Sequence, residues 1–183
     1  SIPEIDIKAI ILDQNNRCGW DQEKTPGSVP VSQLNYITKR NVPYAVGLRY
    51  NLVTPEDTLL WCKQGQKGIE LLLDTLKKAS EPVTVITVGS LRDVAAAYNR
   101  EPKLLKEKIG RLFVFVGEAS KKGFVDYNID LDINAYIRIM GSDLPVYWVP
   151  CFDGGLWQNN GNGSWWDACP KGLLSKASKK AEN

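Results

Sequence analysis

The chain has 183 residues, 43% of them apolar, the size and apolar content of one globular domain with a sizeable core. Its 23 Lys and Arg stand against 21 Asp and Glu, and the formal charge of +2 is too small to select nucleic acid or a membrane surface by its field. No apolar run reaches the length of a bilayer-spanning helix, and the four cysteines are widely separated, with no C-x-x-C pair and no histidine to complete a zinc set.

Short β-rich runs alternate with stretches of helical spacing, as in a parallel sheet with crossover helices. Strands are expected at Ile7 to Leu12, Pro43 to Val46, Val83 to Val88, Leu112 to Val116 and Val146 to Val149. All are rich in Val and Ile or nearly continuous in apolar character, which suits burial on both faces. Between them, Val31, Leu34 and Ile37 share one helical face after Ser28 and Pro30, and Ile69, Leu72, Leu73 and Leu76 share another. Leu91 to Tyr98 opens behind Ser90 and Ile133 to Met140 behind Asp132, each of which is suited to cap a helix. The expected fold class is therefore α/β, a mostly parallel sheet with helices on both faces, in a single domain over residues 1–183.

Beyond residue 150 the texture changes. Residues 151–175 crowd Gly154, Gly155, Asn159, Asn160, Gly161, Asn162 and Gly163 around Trp157, Trp165 and Trp166, which reads as a long loop within the domain. The tryptophans suit stacking on a ring and equally suit plugging a core beneath the loop. Lys176, Lys179 and Lys180 read as a solvated end. Cys18, Cys62, Cys151 and Cys169 form no C-x-x-C pair and read as reduced thiols, with a disulfide left open. Ser1 opens no signal-like sequence, so an export signal would have to lie upstream, and the compartment is unassigned.

Ligands of a parallel sheet bind beyond the carboxyl ends of its strands. That rule singles out Asp13, Asn15 and Asn16 after the first strand, Gly89 and Ser90 after the third, Gly117 and Glu118 after the fourth, and Cys151, Phe152 and Asp153 after the fifth. Carboxylates and amides gathered at such an edge suit a hydroxyl-rich ligand or a hard cation, although turns use the same residue types. Gly89 fits close approach of the backbone to a ligand and equally fits a tight strand-to-helix turn. In the segment Asp126-Tyr127-Asn128-Ile129-Asp130-Leu131-Asp132, read as a loop leading into a helix, Asp126 and Asn128 are placed to meet a sugar and Asp132 to cap the helix.

The stretch from Glu81 to Pro150 resembles the inosine-uridine-preferring nucleoside hydrolases. In that family a strand ends in a G-P-L-T-N helix start, a second ends in M-G-G, an A-E-F-N-I loop follows, and a G-L-P-V strand comes later. Gly89-Ser90-Leu91-Arg92-Asp93, Val116-Gly117-Glu118, Val125-Asp126-Tyr127-Asn128-Ile129 and Asp143-Leu144-Pro145-Val146 are similar in order and spacing. The segment Asn41-Val42-Pro43-Tyr44-Ala45-Val46 extends the likeness backwards, towards the family's I-P-V-Y-A-G run.

The resemblance implies a calcium-dependent hydrolase of N-glycosidic bonds in ribonucleosides or related glycosides, with a small-molecule nucleoside as its partner. It implies that the Val88 carbonyl is a calcium ligand and that Asp126 and Asn128 bind ribose hydroxyls. Asn15 and Trp157 join them as candidate substrate-binding residues. The family's D-x-D-x-x-x-D-D signature and its late histidine are absent from these residues, so no catalytic residue is assigned here. The expectation is a partial domain of a longer protein, this stretch being inactive alone. The competing expectation is a non-catalytic nucleoside-binding or sugar-binding domain on the same fold. Neither nucleic acid nor a membrane is expected as a partner, and homo-oligomer formation is left open.

Overall fold

A computed structural model describes residues 5–14, 27–121, 124–156 and 158–163. Five strands and six helices occur among them, in the order β1 (Ile10–Leu12), α1 (Ser28–Thr38), β2 (Tyr44–Val46), α2 (Gln66–Lys78), β3 (Val83–Thr87), α3 (Arg92–Arg100), α4 (Pro102–Lys108), β4 (Ile109–Phe115), α5 (Tyr127–Leu131), α6 (Ile133–Met140) and β5 (Val146–Val149). Each strand lies where its β-branched run predicted it. β1 starts later than expected and β4 earlier.

All pairing among the described residues is parallel. β1 pairs with β2 from Ile10 opposite Tyr44 to Leu12 opposite Val46. β3, β4 and β5 form a three-stranded sheet in that order, with Ile86 opposite Phe113 and Phe113 opposite Tyr147. Leu112, Val114 and Val116 are fully buried on one face, in a core cluster with Val94 to Tyr98 of α3, Leu105 of α4, Ala135 and Ile139 of α6, and Ile69, Leu72 and Leu76 of α2. On the opposite face of the same sheet Ile86 and Tyr147 are exposed, so the expected two-face burial does not hold among the described residues. The reason lies in the crossovers: α3, α4 and α6 all contribute to the cluster around Leu112 and Val114.

α3 is the centre of the packing. Every residue from Arg92 to Tyr98 is buried, and the small side chains of Ala95, Ala96 and Ala97 let its neighbours approach closely. α2 buries Ile69, Leu72 and Leu76 as its spacing predicted. α1 forms where expected, but only Val31 of its predicted apolar face is buried; Leu34 and Ile37 are exposed and stand outside the core cluster.

Two capping expectations divide. Asp132 caps α6, its carboxylate accepting the Ala135 N–H at 3.0 Å. Ser90 does not cap α3; Leu91 takes the N-cap position with no side-chain bond, because the Ser90 hydroxyl is donated elsewhere. The segment read as a loop before α6 contains the short helix α5, capped by Asp126. None of the described helices is long and apolar enough to cross a membrane.

Candidate functional site

The carboxyl ends of β1, β2 and β3 are joined by polar side chains. Asp13, just beyond β1, accepts the Ser90 N–H at 2.6 Å and the Ser90 hydroxyl at 2.7 Å. A Cβ on Gly89 would stand 2.4 Å from Asp13 Oδ2, so any larger residue there has to push that carboxylate aside. The close approach anticipated at Gly89 is thus made to Asp13. Next to it, Gln14 is buried, and its side-chain amide nitrogen has no hydrogen-bond partner among the described residues.

Arg92 and Asp93, on the first turn of α3, grip the segment after β2 with opposite chemistry. The fully buried guanidinium of Arg92 donates to the carbonyl oxygens of Leu48 and Arg49 at 3.0 and 3.2 Å and to Asn51 Oδ1 at 2.8 Å. Asp93 accepts the Leu48 N–H at 2.8 Å. A Cβ on Gly47 would lie 2.2 Å from Asp93 Oδ2, which leaves room for no larger residue. Burial pushes the Asp93 carboxyl up to about 7; the Leu48 N–H opposes the shift, and the charge of Asp13 adds to it.

Arg92 also reaches the other side of the site. It donates to the Gln14 carbonyl at 2.6 Å, to the Leu131 carbonyl at 2.9 Å, and to Asp132 Oδ2 at 3.0 Å in an ion pair buried at both ends. The second acceptor role of Asp132 Oδ2, towards the Leu52 N–H at 3.0 Å, ties α6 to the segment after β2.

At the ends of β3 and β4 lie the predicted sugar and metal residues. Asp126 is buried, and its carboxylate accepts the N–H groups of Asn128, at 2.5 Å, and of Gly117. Asn128 donates its side-chain amide to the Phe115 carbonyl at 3.2 Å. Both side chains are therefore fixed against the carboxyl end of β4. Val88 follows β3, the neighbouring strand, and its side chain is exposed. Val88, Asp126 and Asn128 thus share one edge. Asn15, Trp157, Trp165 and Trp166 lie outside the described residues, as do Cys18, Cys169 and the lysines near the end.

Glu118 and Asp153 organise the loop after β5. The Glu118 carboxylate accepts the N–H groups of Ser120 at 3.0 Å, Gly154 at 2.7 Å and Gly155 at 3.3 Å. The Ser120 side chain foremost, together with these N–H groups, holds its carboxyl below the usual glutamate range. Asp153 is buried and accepts both the backbone and side-chain N–H groups of Asn162, at 3.0 and 2.9 Å. Cys62 and Cys151 are thiols, and burial pushes the Cys151 thiol up.

Among the described residues no group of three or more His, Cys, Asp or Glu could hold a metal ion. Asp13 is committed to Ser90, Asp126 to α5 and Gly117, and Asp132 to Arg92 and two backbone N–H groups. These residues do not fit a metal centre by themselves. Sequence reasoning assigned no role to Arg92 or Asp93. The signal was present in the charged pair Arg92-Asp93, which stands where the resembled motif carries threonine and asparagine.

No family model matches the chain. It is similar to proteins named pyrimidine-specific ribonucleoside hydrolase RihA, from Escherichia coli O1:K1 / APEC and from Escherichia coli O81 (strain ED1a). Each is 28% identical over 166 residues, a match covering 79% of this chain and 51% of the relative. The chain spans about half the length of the curated relatives it matches. Its parallel α/β fold is consistent with a nucleoside-hydrolase-like fold over about half of these distant relatives.

Proposed function

We propose that this chain is part of an enzyme that hydrolyses the N-glycosidic bond of ribonucleosides. The observation that carries the reading is the similarity to ribonucleoside hydrolases over 79% of the chain. The clustering of Asp126, Asn128 and Val88 at one sheet edge supports it, and so does the buried amide nitrogen of Gln14 beyond β1, a donor without a partner among the described residues that suits an incoming acceptor.

In this reading Asp126 and Asn128 orient the ribose hydroxyls. The Asp126 carboxylate keeps acceptor capacity beyond its two backbone N–H bonds, since an ionised carboxylate offers about four lone-pair sites. Asn15 and Trp157 join the substrate side. Calcium is proposed for the whole protein, with the Val88 carbonyl as the contribution of this chain and carboxylates from polypeptide outside the described residues. When bound, such an ion lowers the pKa of an attacking water.

The test is an assay of the intact protein for release of ribose from uridine and inosine, with and without added calcium. Uridine comes first because it satisfies both the pyrimidine specificity in the relatives' name and the inosine-uridine resemblance. Hydrolysis would bear the reading out. Binding of uridine without hydrolysis would favour a non-catalytic nucleoside-binding domain, and absence of both would end the proposal.

A further inference from the structure

Arg92 is the largest fully buried side chain among the described residues, and its guanidinium is a charge removed from water. A buried ion pair such as that with Asp132 adds little net stability, because desolvation offsets its attraction. Its burial calls for another reason, and the acceptors supply one. They come from segments distant in sequence: the Gln14 carbonyl beyond β1, the Leu48 and Arg49 carbonyls and Asn51 beyond β2, and Leu131 with Asp132 at the α5–α6 junction. The planar fork of an arginine can serve such divergent acceptors at once, whereas a lysine ammonium cannot match the geometry.

The two outer segments each carry a site residue. Gln14 follows Asp13, and α5, which Arg92 holds at its last residue, begins at the Asp126 cap and carries Asn128 in its first turn. We infer that Arg92 is a positioning residue: its guanidinium fixes the distance between the Asp13 end of β1 and the Asp126–Asn128 turn, with the segment after β2 clamped between them. Its role in catalysis rests on the hydrolase reading above. Its role in coupling the three segments does not.

The experiment compares the intact protein with its Arg92→Lys variant by amide hydrogen exchange and by uridine kinetics. Opening of a local unit is reported by exchange in that unit. In the variant, exchange should accelerate tenfold or more, and together, in residues 12–14, 47–52 and 127–132, with β4 unchanged. The kcat should fall tenfold or more and KM much less, because misplacement of bound substrate is felt in the transition state. Unchanged exchange in a folded variant, or acceleration confined to one segment, would overturn the coupling. Coupled acceleration with normal kcat would overturn the positioning role. If Arg92→Lys does not fold, Asn51→Ala, which removes one acceptor only, carries the same test with smaller changes. A wild-type protein that turns over no ribonucleoside would end the hydrolase reading, and the exchange result would still decide the coupling.

Discussion

Asp13 and Ser90, 77 residues apart in sequence, are joined by two hydrogen bonds, from the serine backbone N–H at 2.6 Å and its hydroxyl at 2.7 Å. These bonds help to link the two parallel sheets at their carboxyl ends, since Asp13 follows β1 and Ser90 follows β3. Ser90→Ala removes the hydroxyl and keeps the N–H, so it should lower stability by about 1.5 kcal/mol, the range for a bond to a charged acceptor. Gly89→Ala brings a Cβ to 2.4 Å of Asp13 Oδ2 and should cost about 2 kcal/mol or more by forcing the carboxylate away. Urea denaturation of the two variants checks the order; a Gly89→Ala protein as stable as wild type would show that Asp13 can move without loss.

Asp93 makes stability depend on pH in the direction opposite to most acids. Its folded-state carboxyl is pushed up to about 7 from an ordinary value of 3.8, principally by burial, with Asp13 adding to the rise and Arg92 and Arg100 opposing it. Between those values the folded protein holds a proton that the unfolded chain has released. Stability from this group is therefore complete below the ordinary value and is lost as pH rises towards 7. Asp93→Asn keeps an acceptor for the Leu48 N–H and cannot ionise. The variant should lose less stability than wild type between pH 5 and about 7, read from denaturation midpoints across that window. Parallel profiles for the two proteins would remove Asp93 as the source.

Glu118 ties the end of β4 to the loop after β5 through the N–H groups of Gly154 and Gly155. Glu118→Ala should leave the core intact, because no residue of the cluster around Leu112 and Val114 depends on that carboxylate. Limited proteolysis should then cut faster within residues 151–163, with an unchanged thermal midpoint. Equal cutting rates would mean that Asp153 and Asn162 hold the loop without Glu118.

The strands were legible because runs such as Val83 to Val88 and Leu112 to Val116 carry a β signal in every residue. Asp132 was legible as a cap because its acceptor role is local, towards an N–H three residues on. Ser90 was not, because its hydroxyl is claimed by Asp13 from another strand, and no window of sequence contains both. α5 was missed for a different reason: five residues complete little more than one turn, too few for a helical period to register. Arg92 is the deepest miss. An arginine in a sequence reads as a surface residue, and only the convergence of loop carbonyls, Asn51 and the Asp132 carboxylate makes its complete burial tenable.

The sugar assignment can be tested apart from catalysis. Asn128 donates to the Phe115 carbonyl at 3.2 Å from the first turn of α5, a neutral bond of ordinary strength. Asn128→Ala should therefore lower stability by only about 1 kcal/mol and leave the domain folded. If its amide also meets a ribose hydroxyl, the dissociation constant for uridine should rise about tenfold, equivalent to about 1.4 kcal/mol. Asp126 offers the contrast. Its carboxylate caps α5 and holds the Gly117 N–H, so Asp126→Ala leaves two N–H groups without their acceptor and should cost about 2 kcal/mol or more, beyond any loss of binding. Calorimetric titration with uridine, beside thermal unfolding of each variant, separates the two roles: weakened binding by a well-folded Asn128→Ala protein supports the sugar contact, and unchanged affinity in that protein would confine Asn128 to holding α5 against β4.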